Sequence, residues 1–273
     1  MAYDSLTLLN QIKNRAAVPA NQSTFDDQDL LDIANEAVTD DILPDILKAR
    51  QEFFVYSEDF TPVPSSPYPY IRIPERAVGQ SIVDIVETPN ENMVDPTTYY
   101  IEGSKIYFTD NSTAAKRIKY HLRPGKLIET SACGTISSIN PTTGEVTCST
   151  VPTTFSSNVK YDFIRGKAGF DLLAKDLSCT LVANVATFTL TDIPSELQIG
   201  DYLCLADTSP VPQIPVEWFS YLAQHTAALV LESLGDMEAA KKVEARLGRM
   251  RANALSLISP RIERVGKAIK TDY

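Results

Sequence analysis

At 273 residues, 44% hydrophobic and 22% charged, the chain has the makeup of a globular protein large enough to bury a core without disulfide or metal staples. A formal net charge of −10 argues against general affinity for nucleic acid, whose own charge repels it. No apolar run approaches the roughly 20 residues that cross a bilayer, so no membrane role is expected.

The N-terminus, Met1-Ala2-Tyr3-Asp4, lacks the basic start and apolar stretch of a secretion signal, and the expectation is a protein made and used in a reducing cytosol. Cys133, Cys148, Cys179 and Cys204 are then most simply free thiols, because their spacing fits no paired zinc pattern. Charge is unevenly spread. Residues 1–60 hold four Lys/Arg against twelve Asp/Glu, whereas residues 236–273 hold nine against five. Such asymmetry either marks solvated faces or lets copies of the chain attract one another.

Residues 5–15 read as a helix with Leu6, Leu9, Ile12 and Ala16 on one side and Asp4 or Ser5 as its cap. Thr24 or Asp26 opens a second helix, with Asp27 and Asp29 in its first turn and Leu30, Ile33, Ala34, Ala37 and Val38 as its buried stripe. The pattern resumes at Ile42, Leu43, Ile46 and Leu47 and runs to Phe53-Phe54, so Pro44 must kink or divide a long helix. Asp40, Asp41 and Asp45 cluster there. They read as caps and solvated charge or, on paper, as a metal site with no histidine nearby in sequence.

Residues 60–69 hold four prolines and read as an irregular linker. Strands are expected at 70–73, 81–87, 99–102, 105–109 and 116–122, forming one small antiparallel sheet, with Gly103-Ser104 as a two-residue hairpin turn. From 131 to 207, Ser and Thr rise and turns come at short intervals. Strands at 135–139, 145–149, 159–165, 178–182, 186–190 and 202–206 point to an inserted small barrel or sandwich.

Prolines 210, 212 and 215 lead into a helix over 216–234 that is apolar over a wide arc and so expected between two neighbours. Gly235 ends it and Asp236 caps a second helix whose seam is Ala240, Val243, Leu247, Met250, Ala254 and Leu257. After Pro260 comes a tail in which apolar and basic residues alternate: a frayed terminus, or an arm that orders on another chain. The fold class is thus α+β. A helical core with a small antiparallel sheet (1–130) is interrupted by a β-rich insert (131–207), completed by a helical hairpin (208–259) and followed by an arm (260–273).

Chemistry is sparsely signalled. His121 and His225 fall in different parts of the chain, the glycines form no phosphate loop or dinucleotide fingerprint, and no Ser or Cys sits in a nucleophile motif. Basic islands at 165–167 and 246–251 lack the interleaved aromatics of single-strand binders and read as solvated faces. No catalytic residue, cofactor or metal ligand is assigned.

Residues 23–31 (Ser-Thr-Phe-Asp-Asp-Gln-Asp-Leu-Leu), the later Pro44 and the Phe53-Phe54 end resemble the opening helices of head–tail adaptor (connector) proteins of tailed bacteriophages, mainly short-tailed ones. Residues 70–79 (Tyr-Ile-Arg-Ile-Pro-Glu-Arg-Ala-Val-Gly), Tyr120-His121-Leu122-Arg123-Pro124 and Leu234-Gly235-Asp236 resemble segments of the same proteins, as does the closing helix pair with its tail. The resemblance is spread over the chain and weakest in the β insert.

It implies a structural, non-enzymatic virion protein of the neck, assembled in the host cytoplasm as a dodecameric ring beneath the portal protein. The lumen would pass genomic DNA without sequence-specific binding, which an acidic wall suits. The other side would receive tail or nozzle proteins. The portal-binding arm would be residues 260–273, with Ile262, Val265 and Ile269 in apolar notches and Arg261, Arg264, Lys267 and Lys270 on acidic or backbone acceptors. The rival readings are another neck or minor tail protein with the β insert as its binding module, and a carbohydrate- or nucleic-acid-handling enzyme.

Overall fold

The computed structural model describes residues 3–17, 24–88, 90–166 and 172–259. Helix α1 (Ser5–Arg15) opens at Asp4, whose carboxylate accepts a hydrogen bond from the Thr7 N–H, a donor that the helix start leaves unpaired. It buries Leu8, Leu9 and Ile12. Leu6, expected on that face, is exposed, because it lies about 200° around the helix from Leu8. Helix α2 (Asp27–Ala37) begins in a reciprocal capping box between Asp26 and Asp29 and buries Leu30, Leu31, Ala34 and Ala37.

The division expected at Pro44 takes the form of a π turn over Val38–Ile42, where the Leu43 N–H reaches back to the Val38 carbonyl. Helix α3 (Leu43–Ala49) follows with Pro44 in its first turn, where a missing N–H costs nothing.

The strands β1 (Val55–Phe60), β2 (Tyr70–Arg72), β3 (Ala77–Glu87), β4 (Tyr99–Glu102), β5 (Lys105–Phe108) and β6 (Lys116–Leu122) form two three-stranded antiparallel sheets, not the single one expected. Their orders are β1-β6-β3 and β2-β5-β4. Ile71, Ile106 and Phe108 of one share a core with Ile85, Ile118, Tyr120 and Leu122 of the other, so the two pack face to face. Gly103, at φ +57°, makes the expected turn between β4 and β5.

Next come β7 (Lys126–Leu127), β8 (Gly134–Asn140), β9 (Glu145–Cys148), β10 (Lys160–Ile164), β11 (Leu172–Ser178), β12 (Thr180–Val182), β13 (Val185–Thr187), β14 (Tyr202–Leu205) and β15 (Thr208–Ser209). Seven of them form one antiparallel sheet in the order β11-β10-β14-β8-β9-β13-β12, around a core of Ile136, Val146, Tyr161, Phe163, Phe188 and Leu203. It is not the closed barrel expected, since among the described residues no ladder joins its two edges. Yet the edge strands β11 and β12 are consecutive, separated only by buried Cys179, so the sheet curls far enough to bring the end of one edge strand next to the start of the other. Two-residue β7 and β15 pair in parallel where the chain enters and leaves this region.

Helix α4 (Val216–Ser233) is the central rod. Eleven of its eighteen residues are buried, and it packs on α1, α2 and both later helices, as its wide apolar arc foretells. Gly235 at φ +78° ends it, and the Asp236 carboxylate caps α5 (Met237–Glu244) by accepting from the Ala239 N–H. The expected single second helix is broken at Ala245-Arg246 into α5 and α6 (Leu247–Ile258). The seam holds through Ala254, then moves to Ile258. Leu257 is 69% exposed: within α6 the inner face runs from Ala254 to Ile258, one turn on, and Leu257 falls to the other side of Ala254. One apolar cluster joins α1, α2 and α3 to α4, α5 and α6, so the described ends of the chain share a core.

Candidate docking surfaces

The arm residues Arg261, Ile262, Arg264, Val265, Lys267, Ile269 and Lys270 lie outside the described residues. The structure does fix their root. Helix α6 is fastened to α3 by Arg251, whose fork holds the nearly buried Asp45 carboxylate at 2.5 and 2.7 Å. That hydrogen bond, with burial opposing it, raises the Arg251 guanidinium above its ordinary range. Ala254 and Ile258 pin the same helix to the core. Lys241, Lys242, Arg246 and Arg249 are exposed, as are Glu238 and Glu244, and Lys242 pairs with Glu238, so α5 presents a mixed outer face and the unbalanced positive charge is Arg246 and Arg249 at the start of α6.

A second surface lies on the sheet β2-β5-β4. The pleat sends Ile106 and Phe108 inward and Lys105 and Tyr107 outward. Register then aligns Val63, Tyr70, Tyr107 and Tyr100 in one row across the outer face. Tyr100 stacks on Tyr107 with ring centres 5.2 Å apart, Tyr68 meets Tyr100 edge-on, and the Lys105 ammonium sits 4.2 Å from the centre of Tyr70. The ring faces are thus largely used up among themselves, leaving phenol edges to solvent, while the exposed Ile101 lies on the opposite face of this edge strand, in register with Ile106.

Between the small sheets and the large one runs an open cleft of about 600 Å³, lined among others by Glu58, Arg76, Arg123, Lys160, Lys175 and Asp207. Its charged groups mostly serve each other. Asp162 of β10, with a fully buried side chain, accepts from Arg76 Nη1 at 2.7 Å and from the amides of Asp176 and Asp207. Burial pulls the Arg76 guanidinium down, and Asp162 and Asp207 more than reverse it. Lys175 of β11 holds Glu58 of β1 at 2.8 Å, and the Tyr120 hydroxyl donates to the same carboxylate. Burial pushes the Asp207 carboxyl up, against the pull of Arg76.

The acidic cluster read as solvated charge is mostly engaged. Besides the Asp45–Arg251 pair, Asp41 meets His225 of α4 at 2.7 Å, with Tyr221 stacked on the imidazole. Sequence placed no histidine near that cluster, because the two lie 184 residues apart. His121 sits on β6, remote in the chain. Among the described residues, no group of three or more His, Cys, Asp or Glu is placed to hold a metal, and no helix is long and apolar enough to cross a membrane. All four cysteines are free and buried, and burial pushes the Cys148 and Cys179 thiols up to about 11.

No known protein family, curated protein or solved structure matches this chain.

Proposed function

We propose that this chain is the head-to-tail adaptor of a tailed-bacteriophage virion. Copies form a ring that docks on the portal through residues 260–273, passes DNA through its lumen and receives the tail on the other side. The observation that carries the reading is the anchored helix α6 and the segment it leads into. A helix clamped to the body by Arg251–Asp45 and Ala254 leads directly into a segment in which Arg261, Arg264, Lys267 and Lys270 alternate with Ile262, Val265 and Ile269. A rigid root with an alternating basic and apolar extension suits capture by a foreign groove or sheet edge. Two features support it further. Acidic and basic residues are concentrated at opposite ends of the chain, and the tyrosine row carries residue types favoured at contact surfaces.

The test is a pair of measurements on the full chain and on a version ending at Ser259. With portal protein present, negative-stain images of the full chain show a closed annulus on the portal, and the shortened chain keeps its melting temperature but loses portal binding. Undiminished binding of the shortened chain overturns the arm's role, and a complex without an annulus overturns the ring.

The rival neck or minor tail protein draws on a different observation: the curled seven-stranded sheet has its own core and meets the small sheets through ion pairs such as Arg76–Asp162. It requires tail-protein binding by the β-rich segment with no ring.

A further inference from the structure

Cys133 and Cys204 lie 71 residues apart in sequence, yet their sulfurs are 3.3 Å apart. Register explains it. Tyr202 pairs with Thr135 and Leu203 with Gly134, so the next rung of the β14–β8 ladder brings Cys204 opposite Cys133. Directly opposed residues on antiparallel strands have Cβ atoms about 4.5–5.5 Å apart, close to the 3.5–4.5 Å that a disulfide spans. Both side chains are buried, in a small cluster with Ile164 and Val211, so neither reacts readily with a bulky thiol reagent.

The position is singular in the topology. The chain enters the seven-stranded sheet at Gly134 and leaves it at Leu205. The two cysteines therefore stand at the two ends of the β-rich segment, at its neck.

We propose that Cys133 and Cys204 are an oxidation site, converted by hydrogen peroxide into an intrachain disulfide that closes the neck of the β-rich segment. Peroxide is the fitting oxidant because it is little larger than water and can reach a site closed to glutathione. One thiolate displaces hydroxide from the peroxide and becomes a sulfenic acid. The neighbouring thiolate attacks that sulfur, forms the S–S bond and expels a second hydroxide. The two sulfurs lose two electrons and two protons in total, the peroxide gains them, and two waters result. Burial first, then the hydrogen bond to Cys133, push the Cys204 thiol well above its ordinary range, which makes the reaction slow near neutrality and faster as pH rises.

The bond ties together the two strands by which the chain enters and leaves the β-rich segment. It stays open in a reducing cytosol and closes in an oxidising medium. None of this depends on the adaptor reading.

The experiment treats the full-length protein with hydrogen peroxide, counts free thiols after denaturation and maps peptides without reduction. The thiol count falls from four to two, one cross-linked peptide pair joins Cys133 to Cys204, a phosphine reductant restores all four thiols, and the oxidised form melts at higher temperature. Cys148→Ala still forms the cross-link, whereas Cys204→Ala does not. If Cys204→Ala fails to fold, the wild-type peptide map alone decides. Retention of all four thiols, a cross-link between Cys148 and Cys179, or irreversible oxidation of Cys133 or Cys204 overturns the proposal.

Discussion

Arg76, in the loop between β2 and β3, reaches 86 residues along the chain to place Nη1 2.7 Å from the Asp162 carboxylate in the large sheet. Asp162 is fully buried and Arg76 is 11% exposed, so this is a largely buried ion pair beside the open cleft that Arg76 helps to line. Its Nε also lies 3.1 Å from Asp207, close enough to attract but not aligned as a hydrogen bond. The seam between the sheets thus joins these ion pairs to an apolar contact, Leu172 of β11 against the core of the small sheets.

Removing one partner strands the other in a low dielectric. Asp162→Ala is expected to cost about 3–5 kcal/mol, the usual penalty for breaking a buried pair. The double variant Arg76→Met/Asp162→Leu is expected to lose less than Asp162→Ala alone, since no charge is left buried. Urea unfolding of the wild type, Arg76→Met, Asp162→Leu and their double closes the cycle, and additive losses contradict coupling across the seam.

The same seam shows where sequence stops being informative. Asp26 and Asp29, three residues apart, announce their capping box, and Gly235-Asp236 announces one helix end and the next helix start. These are local codes, and they are legible. Asp162 sits in a stretch of β10 that otherwise reads as an ordinary buried strand, and nothing near it in sequence names Arg76 as its partner. His225 and Asp41 are hidden in the same way. The break at Ala245-Arg246 has no Gly or Pro to mark it, and both residues favour helix. Strand β11 escapes the alternation test until Ser178 because Lys175 and Asp176 occupy it, the Lys175 ammonium lying between the carboxylates of Glu58 and Asp176 while the Asp176 backbone N–H donates to Asp162. The arm is legible only as chemistry: its apolar and basic residues suggest a partner, and the fold supplies its root.

Stability should fall on the alkaline side. Burial, then Glu58, push the Tyr120 hydroxyl far above its ordinary range, and burial holds the Cys148 and Cys179 thiols at about 11. Each group has a folded pKa above its unfolded one, so its contribution is complete below the unfolded value and drains away as pH rises through the folded value. The thiols begin to draw on stability above about pH 8.5 and the tyrosine above about pH 10. Urea midpoints should be level from pH 7 to 8 and decline from 9 to 11. Tyr120→Phe should flatten the upper part of that decline, and a variant that declines as steeply as the wild type refutes the assignment.

Gly144 closes the β8–β9 loop at φ +76°, and a Cβ built there would stand 2.4 Å from the Phe188 carbonyl oxygen. That atom belongs to the backbone of Phe188, whose N–H donates to the Gly144 carbonyl at 2.9 Å, so it has little room to yield. Gly144→Ala combines left-handed strain with a clash and should cost more than the roughly 1 kcal/mol of strain alone. Gly200, at φ +92° with open space around its missing Cβ, is the control: Gly200→Ala pays strain without the clash. Thermal melts of the two variants should rank Gly144→Ala as the less stable, and equal losses remove the steric argument.

Arg251 clamps α6 through a forked contact with Asp45, whose side chain is 7% exposed while the arginine is 47% exposed. Arg251→Ala leaves a carboxylate without its partner at the α3–α6 contact, and the expected loss is about 1–3 kcal/mol. Arg251→Lys restores charge without the planar fork and should recover only part of it. The loss should be local: amide hydrogen exchange should quicken over residues 247–258 and stay slow over α4, whose apolar packing is untouched. Under the adaptor reading, a loosened root makes the arm pay extra ordering entropy on docking, so portal affinity should drop even though residues 260–273 are unaltered. Faster exchange with unchanged portal affinity would separate the clamp from docking and leave it a purely structural contact.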